Sequence, residues 1–175
     1  MNYFELYGID ESFDVAQALV KSKFYELSKL YHPDFYINEP EDKQQEILEL
    51  STLNNKAYKV LTDPAKRIEY ILSLHDLIAE GEKYQLPQSF LMEMMEVNES
   101  LMELEFDKNP ETLAKVSSEV ADVENNMSEE LNEITSAYTS RSTADKEASL
   151  LKIKDLYYRQ KYLLRIRESL NKFKS

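Results

Sequence analysis

The residues best suited to chemistry in this chain are His32 and Asp34, which flank Pro33. An imidazole and a carboxylate this close together are the groups used in general-base and triad sites. Proline fixes its own φ, lacks an N–H and pushes the preceding residue out of the α region. The tripeptide is therefore predicted to form a turn that displays His32 and Asp34 to solvent with a fixed angle between them.

The rest of the sequence does not favour catalysis by this pair. No serine or other nucleophile has a recognisable elbow around it, and an exposed turn lacks the water-excluding pocket that catalysis uses. One His and one Asp do not fill a zinc shell, and His75-Asp76 adds no motif that would complete it. We therefore predict neither enzyme activity nor a metal site. A plain helix–turn–helix connector stays open as an alternative, although it explains Pro33 and not its two neighbours.

The composition indicates long helices joined by short loops. The 175 residues include only two glycines and five prolines, whereas a β-rich protein needs many turn residues. There is no cysteine, which excludes disulfides and thiol catalysis. No run of about 18 apolar residues is present, and residues 1–5 have no basic or apolar leader pattern, so we expect a cytoplasmic protein. A net charge of −12 disfavours non-specific nucleic-acid binding.

Apolar residues at helical spacing predict an all-α protein. The first part of the chain contains four predicted helices, at 2–7, 14–31, 41–61 and 64–74. Asp14 and Asp63 are the predicted N-caps of the second and fourth helices. In the second part, three long amphipathic helices predict an antiparallel three-helix bundle, with helices at 87–106, 110–138 and 144–173. We expect a domain at 1–76, a linker at 77–86 and the bundle at 87–175.

Charge is distributed unevenly over the bundle. Residues 93–133 contain thirteen acids and two bases, whereas residues 150–175 contain eight bases and two acids. Oppositely charged helices that pack as neighbours are the simplest interpretation. Steering of a charged partner is the alternative.

The helix at 87–106 carries two apolar stripes, although one is enough to join a bundle. The first stripe is most simply core and consists of Phe90, Met94, Val97, Leu101 and Leu104. The second stripe lies on a different side and consists of Leu91, Met95, Met102 and Phe106, with Met92 near it. Glu96, Glu99 and Glu103 run alongside the second stripe. Because a bundle helix can touch two neighbours, the sequence leaves extra core and a partner surface both open.

Four segments in register give the chain a resemblance to a known family. His32-Pro33-Asp34 resembles the HPD turn of J-domain proteins, which follows a basic second helix, and here Lys21, Lys23 and Lys29 precede it. Three further segments resemble the HscB-type co-chaperones within that family: residues 2–8 (NYFELYG), 67–75 (RIEYILSLH) and 90–96 (FLMEMME). The resemblance covers essentially the whole chain.

The resemblance implies a co-chaperone for iron–sulfur cluster assembly. Its J-domain would stimulate ATP hydrolysis by an HscA-type (DnaK-like) chaperone, and its C-terminal bundle would deliver an IscU-type scaffold protein. By match of position, the chaperone-binding residues would be Lys21, Lys23, Lys29, His32, Pro33 and Asp34. The scaffold-binding residues would be Leu91, Met92, Met95, Glu96, Glu99 and Glu103. This overlap with the second stripe favours a partner surface over extra core.

The chain departs from the family pattern at three places. Phe35 follows the turn where many relatives carry Lys, and Asp155 stands near a family aromatic of the last helix. The paired cysteines of eukaryotic members are absent, so no cofactor or metal is expected. Two alternatives remain open. The chain could be a J-domain protein with other clients, or a helical interaction module without a chaperone partner.

Overall fold

A computed structural model describes residues 1–174 and contains only helices and turns over that range. The chain divides into a first unit, Met1–Asp76, and a second unit that begins at Leu77. The expected all-α architecture, a helical hairpin followed by a three-helix bundle, is confirmed. Within residues 1–174, no helix is both long and apolar enough to cross a membrane.

The first unit is built on two helices, α2 (Gln17–Leu30) and α3 (Glu41–Leu61), which pack side by side. The short α1 (Tyr3–Tyr7) and α4 (Pro64–Leu74) flank them. α1 begins with a capping box between Asn2 and Glu5 and ends at Gly8, whose φ of 62° is the left-handed conformation that glycine adopts readily. The core includes Val20 and Leu27 from α2, Ile47 from α3 and Ile71 from α4.

Sequence patterns located the start of α4 correctly but not that of α2. Asp63 accepts hydrogen bonds from the N–H groups of Ala65 and Lys66, as expected for an N-cap followed by proline. The prediction that Asp14 caps α2 is wrong. Its N–H donates to the Ser12 hydroxyl in a preceding turn, and α2 begins three residues later with Ala16 as an N-cap that lacks a side-chain bond.

Two buried polar side chains tie the first unit together. The Asn54 amide donates to the Phe24 carbonyl and accepts from the Tyr7 hydroxyl. The Arg67 guanidinium donates to the carbonyls of Phe13 and Leu61 at 2.7 and 2.6 Å. Burial lowers the pKa of Arg67 by desolvation. These bonds satisfy groups that would otherwise be buried without partners.

The second unit is a bundle of α5 (Gln88–Phe106), α6 (Pro110–Ala137) and α7 (Thr143–Asn171). The first stripe of α5 is buried, as predicted. Asn109 and Ser142 cap α6 and α7. Arg167 of α7 donates two bonds to the Glu124 carboxylate of α6, at 2.9 and 3.0 Å. At this pair, the basic and acidic helices do pack as neighbours.

Candidate functional site

The His32-Pro33-Asp34 turn lies directly after α2. Its last two residues open a single turn of 3₁₀ helix, Pro33–Tyr36, which the sequence did not predict. His32 is the N-cap, because its Nδ1 accepts a bond of 3.3 Å from the Asp34 N–H. Pro33 suits this position, since its missing N–H leaves nothing unsatisfied at the first helical residue.

The turn presents its two polar side chains outward. The His32 side chain is 52% exposed and the Asp34 side chain 84% exposed, and His32 Nδ1 lies 3.7 Å from Asp34 Oδ2. Because Nδ1 accepts the capping bond, the neutral ring carries its proton on Nε2. This tautomer leaves the Nε2–H of His32 as a donor and the exposed Asp34 carboxylate as an acceptor for a partner. Exposure of both residues agrees with the prediction.

Two side chains brace the turn from either side. The Tyr36 hydroxyl donates to the Leu30 carbonyl at 2.7 Å and fixes the turn to the end of α2. The Gln44 amide of α3 donates to the Glu39 carbonyl at 2.8 Å and to the Ile37 carbonyl at 3.3 Å. Sequence analysis missed both braces, because neither residue type nor spacing marks a side-chain bond to a carbonyl five to seven residues away.

Phe35 makes the surface beside the turn apolar. Its side chain is 75% exposed, and its ring centroid lies 5.6 Å from that of His32. Ile37, two residues later, is also exposed. Where the resemblance leads one to expect a lysine, the turn therefore offers an aromatic ring next to the imidazole.

The three lysines of α2 do not form one continuous face. At about 100° per residue, Lys21 and Lys29 lie about 80° apart around the helix axis, whereas Lys23 lies about 160° from Lys21. Lys21 and Lys29 are exposed. The Lys23 ammonium is 3.3 Å from the Glu26 carboxylate, which partly neutralises its charge.

The second stripe of α5 is exposed along its whole length. Exposed fractions are 42% for Leu91, 57% for Met95 and 88% for Phe106. Met92 and Met102 are exposed as well. Five large apolar side chains on one face of a helix form a patch of the kind that marks an interaction site. Met102 and Phe106 extend it beyond the residues matched to the family.

A row of carboxylates borders this patch. Glu96, Glu99 and Glu103 are all exposed on α5. Within residues 1–174, none of the three is in a salt bridge, so each charge is available to a partner. An apolar centre with a charged rim is a usual plan for a protein interface.

Segment 77–86 is held against α7 by charge and stacking. The Glu82 carboxylate lies 2.7 Å from the Lys154 ammonium and accepts a 2.7 Å bond from the Tyr158 hydroxyl. The Tyr84 ring stacks on that of Tyr158 at 4.6 Å, and its hydroxyl donates to Asp155 at 2.8 Å. The bonds from Lys154 and Tyr158 lower the pKa of Glu82. Burial together with the Asp155 bond raises the pKa of Tyr84 to about 12. The linker assignment stays a prediction.

Asp155, which stands near the position of a family aromatic residue, has two polar partners in the structure. Besides the Tyr84 bond, its carboxylate pairs with Arg159 at 2.7 Å. The result is an aromatic ring, supplied by Tyr84, beside the position where the resemblance leads one to expect an aromatic residue of α7. Because residues 84 and 155 are far apart in sequence, no local pattern could have revealed this contact.

Removing the Glu82 charge is expected to loosen segment 77–86. In Glu82→Gln the ion pair with Lys154 is lost, so amide hydrogen exchange in this segment should become severalfold faster at pH 7. Because the pKa of Glu82 is lowered on folding, its contribution is complete above its ordinary value of 4.5 and is lost as the pH falls through the lowered value.

Glu80→Gln is the matched control, since Glu80 is exposed and forms no salt bridge within the described part of the chain. Equal exchange rates in both variants and the unmodified protein would show that the Glu82 charge is not needed, and that the Tyr84 stack and the Tyr84–Asp155 bond hold the segment.

No group of three or more His, Asp or Glu residues within 1–174 is arranged to hold a metal ion. The surfaces described above are instead suited to protein contacts. The exposed turn belongs to the first unit and the apolar stripe with its acidic rim to the second.

Two family models together match most of the chain. Residues 2–70 match the DnaJ domain, and residues 86–171 match the HSCB C-terminal oligomerisation domain. The two matches fall on the two structural units in the same order.

Individual relatives give a consistent picture. The co-chaperone protein HscB homolog of Shewanella halifaxensis is 28% identical over 173 residues, which cover 98% of this chain and 96% of the relative. The iron-sulfur cluster co-chaperone protein HscB of Homo sapiens is 38% identical over 105 residues, covering 59% of this chain and 45% of the relative. The crystal structure of human HscB superposes with a TM-score of 0.69 at 27% identity, covering 98% of this chain and 81% of that one.

Proposed function

The chain belongs to the HscB family of J-domain co-chaperones, and from this premise we propose that it couples an iron–sulfur scaffold protein to an ATP-dependent chaperone. The chaperone is of the HscA (DnaK-like) type and the scaffold of the IscU type. The protein performs no bond chemistry of its own and acts in the cytoplasm. The observation that carries the proposal is that one chain presents both a braced, exposed HPD turn and an exposed apolar stripe.

The turn acts on the chaperone by binding. His32, Pro33 and Asp34 form a rigid element with an N–H donor and a carboxylate, held in place by the Tyr36 and Gln44 bonds. If this element binds better to the chaperone conformation that is competent to hydrolyse ATP, it shifts the population toward that conformation. Stimulation then requires no catalytic residue in the co-chaperone.

The lysines of α2 supply electrostatic contacts to the same partner. Lys21 and Lys29 are exposed, whereas Lys23 shares its charge with Glu26. Exposed charges of this kind steer association with an acidic patch, and their contribution decreases as salt increases. We therefore assign the larger part of the steering to Lys21 and Lys29.

The second stripe holds the scaffold. Leu91, Met92 and Met95 provide the apolar centre, and the rim carboxylates are Glu96, Glu99 and Glu103. Methionine side chains adapt to the shape of a partner at little cost. The cluster travels as cargo on the scaffold, so the co-chaperone itself needs no metal ligands.

Single-turnover ATP hydrolysis by the DnaK-like chaperone of the same cell tests this function. Adding the protein should accelerate hydrolysis, and adding the scaffold as well should accelerate it further. Stimulation that does not depend on the scaffold would leave a J-domain protein with other clients. No stimulation by the native protein would reduce it to a helical interaction module.

A further inference from the structure

Two adjoining clefts form a groove along α7 of the second unit. The first, of about 400 Å³, lies between residues 82–86 and α7, and the second, of about 200 Å³, lies between α5 and α7. Tyr162 and Arg165 line both clefts. We call the two clefts together the α7 groove. None of the residues assigned above to the chaperone or to the scaffold lines this groove.

The α7 groove is basic. Lys83, Lys161 and Arg165 line it and are exposed, and within residues 1–174 none of them is in a salt bridge. The acid in its lining, Glu82, is already neutralised by Lys154 at 2.7 Å. Three uncompensated cations around one concave site favour an anionic occupant.

The floor of the groove is aromatic and held in place. Tyr158 is fixed by its stack on Tyr84 and its bond to Glu82. The Tyr162 hydroxyl accepts a 2.9 Å bond from the Asn98 amide, and its ring meets the edge of Phe90 at 5.7 Å. The Lys161 ammonium lies 4.7 Å from the centroid of the Tyr157 ring. A rigid tyrosine floor loses little entropy when it binds a peptide.

The groove begins at the edge of the second stripe. Asn98, which lines its α5 end, lies three residues after Met95 and four before Met102, the spacings at which helix side chains are neighbours. Around the helix axis, Glu96 and Glu103 lie on the far side of the stripe from Asn98, whereas the exposed Glu105 lies about 20° from Asn98 on the groove side. Apart from Glu105, the stripe therefore has carboxylates on one side and the basic α7 groove on the other.

We propose that the α7 groove binds an acidic segment of the scaffold protein that docks on the second stripe. This inference rests on the proposed function. A scaffold with an acidic segment next to its apolar contact surface would favour one orientation, since turning it around would place that segment against Glu96 and Glu103. The groove thus determines the orientation of docking and accelerates association in a chain whose net charge of −12 would otherwise repel acidic partners.

Charge reversal in the groove tests the proposal. Lys161→Glu combined with Arg165→Glu should weaken binding of an IscU-type scaffold by about tenfold at low salt, measured by calorimetry, and the loss should shrink as salt increases. Arg141→Glu combined with Lys152→Glu changes the net charge equally at exposed positions outside the groove. This control pair should leave the affinity close to that of the unmodified protein.

The outcomes separate the two proposals. If the unmodified protein does not bind the scaffold, the proposed function fails. If it binds and the groove variant binds equally well, only the assignment of the groove is wrong. Equal losses in both pairs would reveal a net-charge effect and overturn the assignment. So would altered self-association with unchanged scaffold affinity, because a second copy would then be the occupant.

A second variant guards against misfolding. Lys161→Gln combined with Arg165→Gln removes the charges without adding acids to the groove. If the groove binds an acidic segment, the affinity of this variant should lie between those of the unmodified and reversed proteins, with an unchanged melting temperature. An affinity equal to that of the unmodified protein would contradict a role for the two cations.

Discussion

His32→Gln is expected to abolish stimulation of the chaperone while leaving the protein folded. His32 is half-exposed and lies outside the core, and its imidazole Nδ1 accepts the capping bond from the Asp34 N–H. A glutamine oxygen can accept such a bond, so the turn should persist. The imidazole Nε2–H donor would be lost, and with it the preference for the hydrolysis-competent chaperone conformation.

The measurement is single-turnover ATP hydrolysis, with the rate expected to fall to that of the chaperone alone. His75→Gln is the matched control, because it changes the other histidine of the chain, which is not part of the turn. The His75 Nε2 atom lies 2.7 Å from the Glu11 carboxylate. A lowered melting temperature in His32→Gln would assign the effect to folding. Full stimulation by this variant would contradict the role of the turn.

Replacing Leu91, Met92 and Met95 together with alanine is expected to weaken scaffold binding by about 2 kcal/mol or more, which is roughly thirtyfold in affinity. All three side chains are exposed, so their truncation opens no cavity in the bundle. The loss arises because apolar area that the scaffold would bury is removed from the centre of the interface.

Calorimetry with the scaffold measures this effect, and thermal unfolding checks the fold. Leu48→Ala and Leu164→Ala are suitable controls, since both truncate exposed leucines that are not part of the second stripe. An unchanged affinity of the triple variant would remove the stripe from the proposed interface. A marked loss of stability would instead show that these residues support the bundle.

Local chemistry explains which parts of the fold could be predicted. Helical spacing gave the helices, and Asp63-Pro64 and Asn109-Pro110 gave two of their starts because cap and proline act within a few residues. The Pro33 constraint gave the exposed turn. The prediction of Asp14 as the N-cap of α2 failed because aspartate is common in turns as well as at helix starts. Here the Asp14 N–H donates to the Ser12 hydroxyl in a turn before the helix.

Features that depend on distant contacts could not be predicted. The Tyr84–Asp155 bond and the Asn98–Tyr162 bond each join residues brought together only by the fold. The exposure of the second stripe could not be predicted either, because it also depends on how the fold packs. A helix with two apolar faces fits either two neighbours or one neighbour and a partner, and only the packing of α5 distinguishes them.

The exposure of the second stripe also decides which methionines an oxidant reaches. Met92, Met95 and Met102 are open to solvent, whereas Met94 and Met127 are buried. Conversion of a thioether to its sulfoxide makes a flexible apolar side chain polar. Mild oxidation would therefore spare the core and change the stripe, leaving a folded co-chaperone with a poorer surface for its scaffold. Methionine sulfoxide reductases reverse this chemistry, so the damage is repairable without resynthesis of the chain.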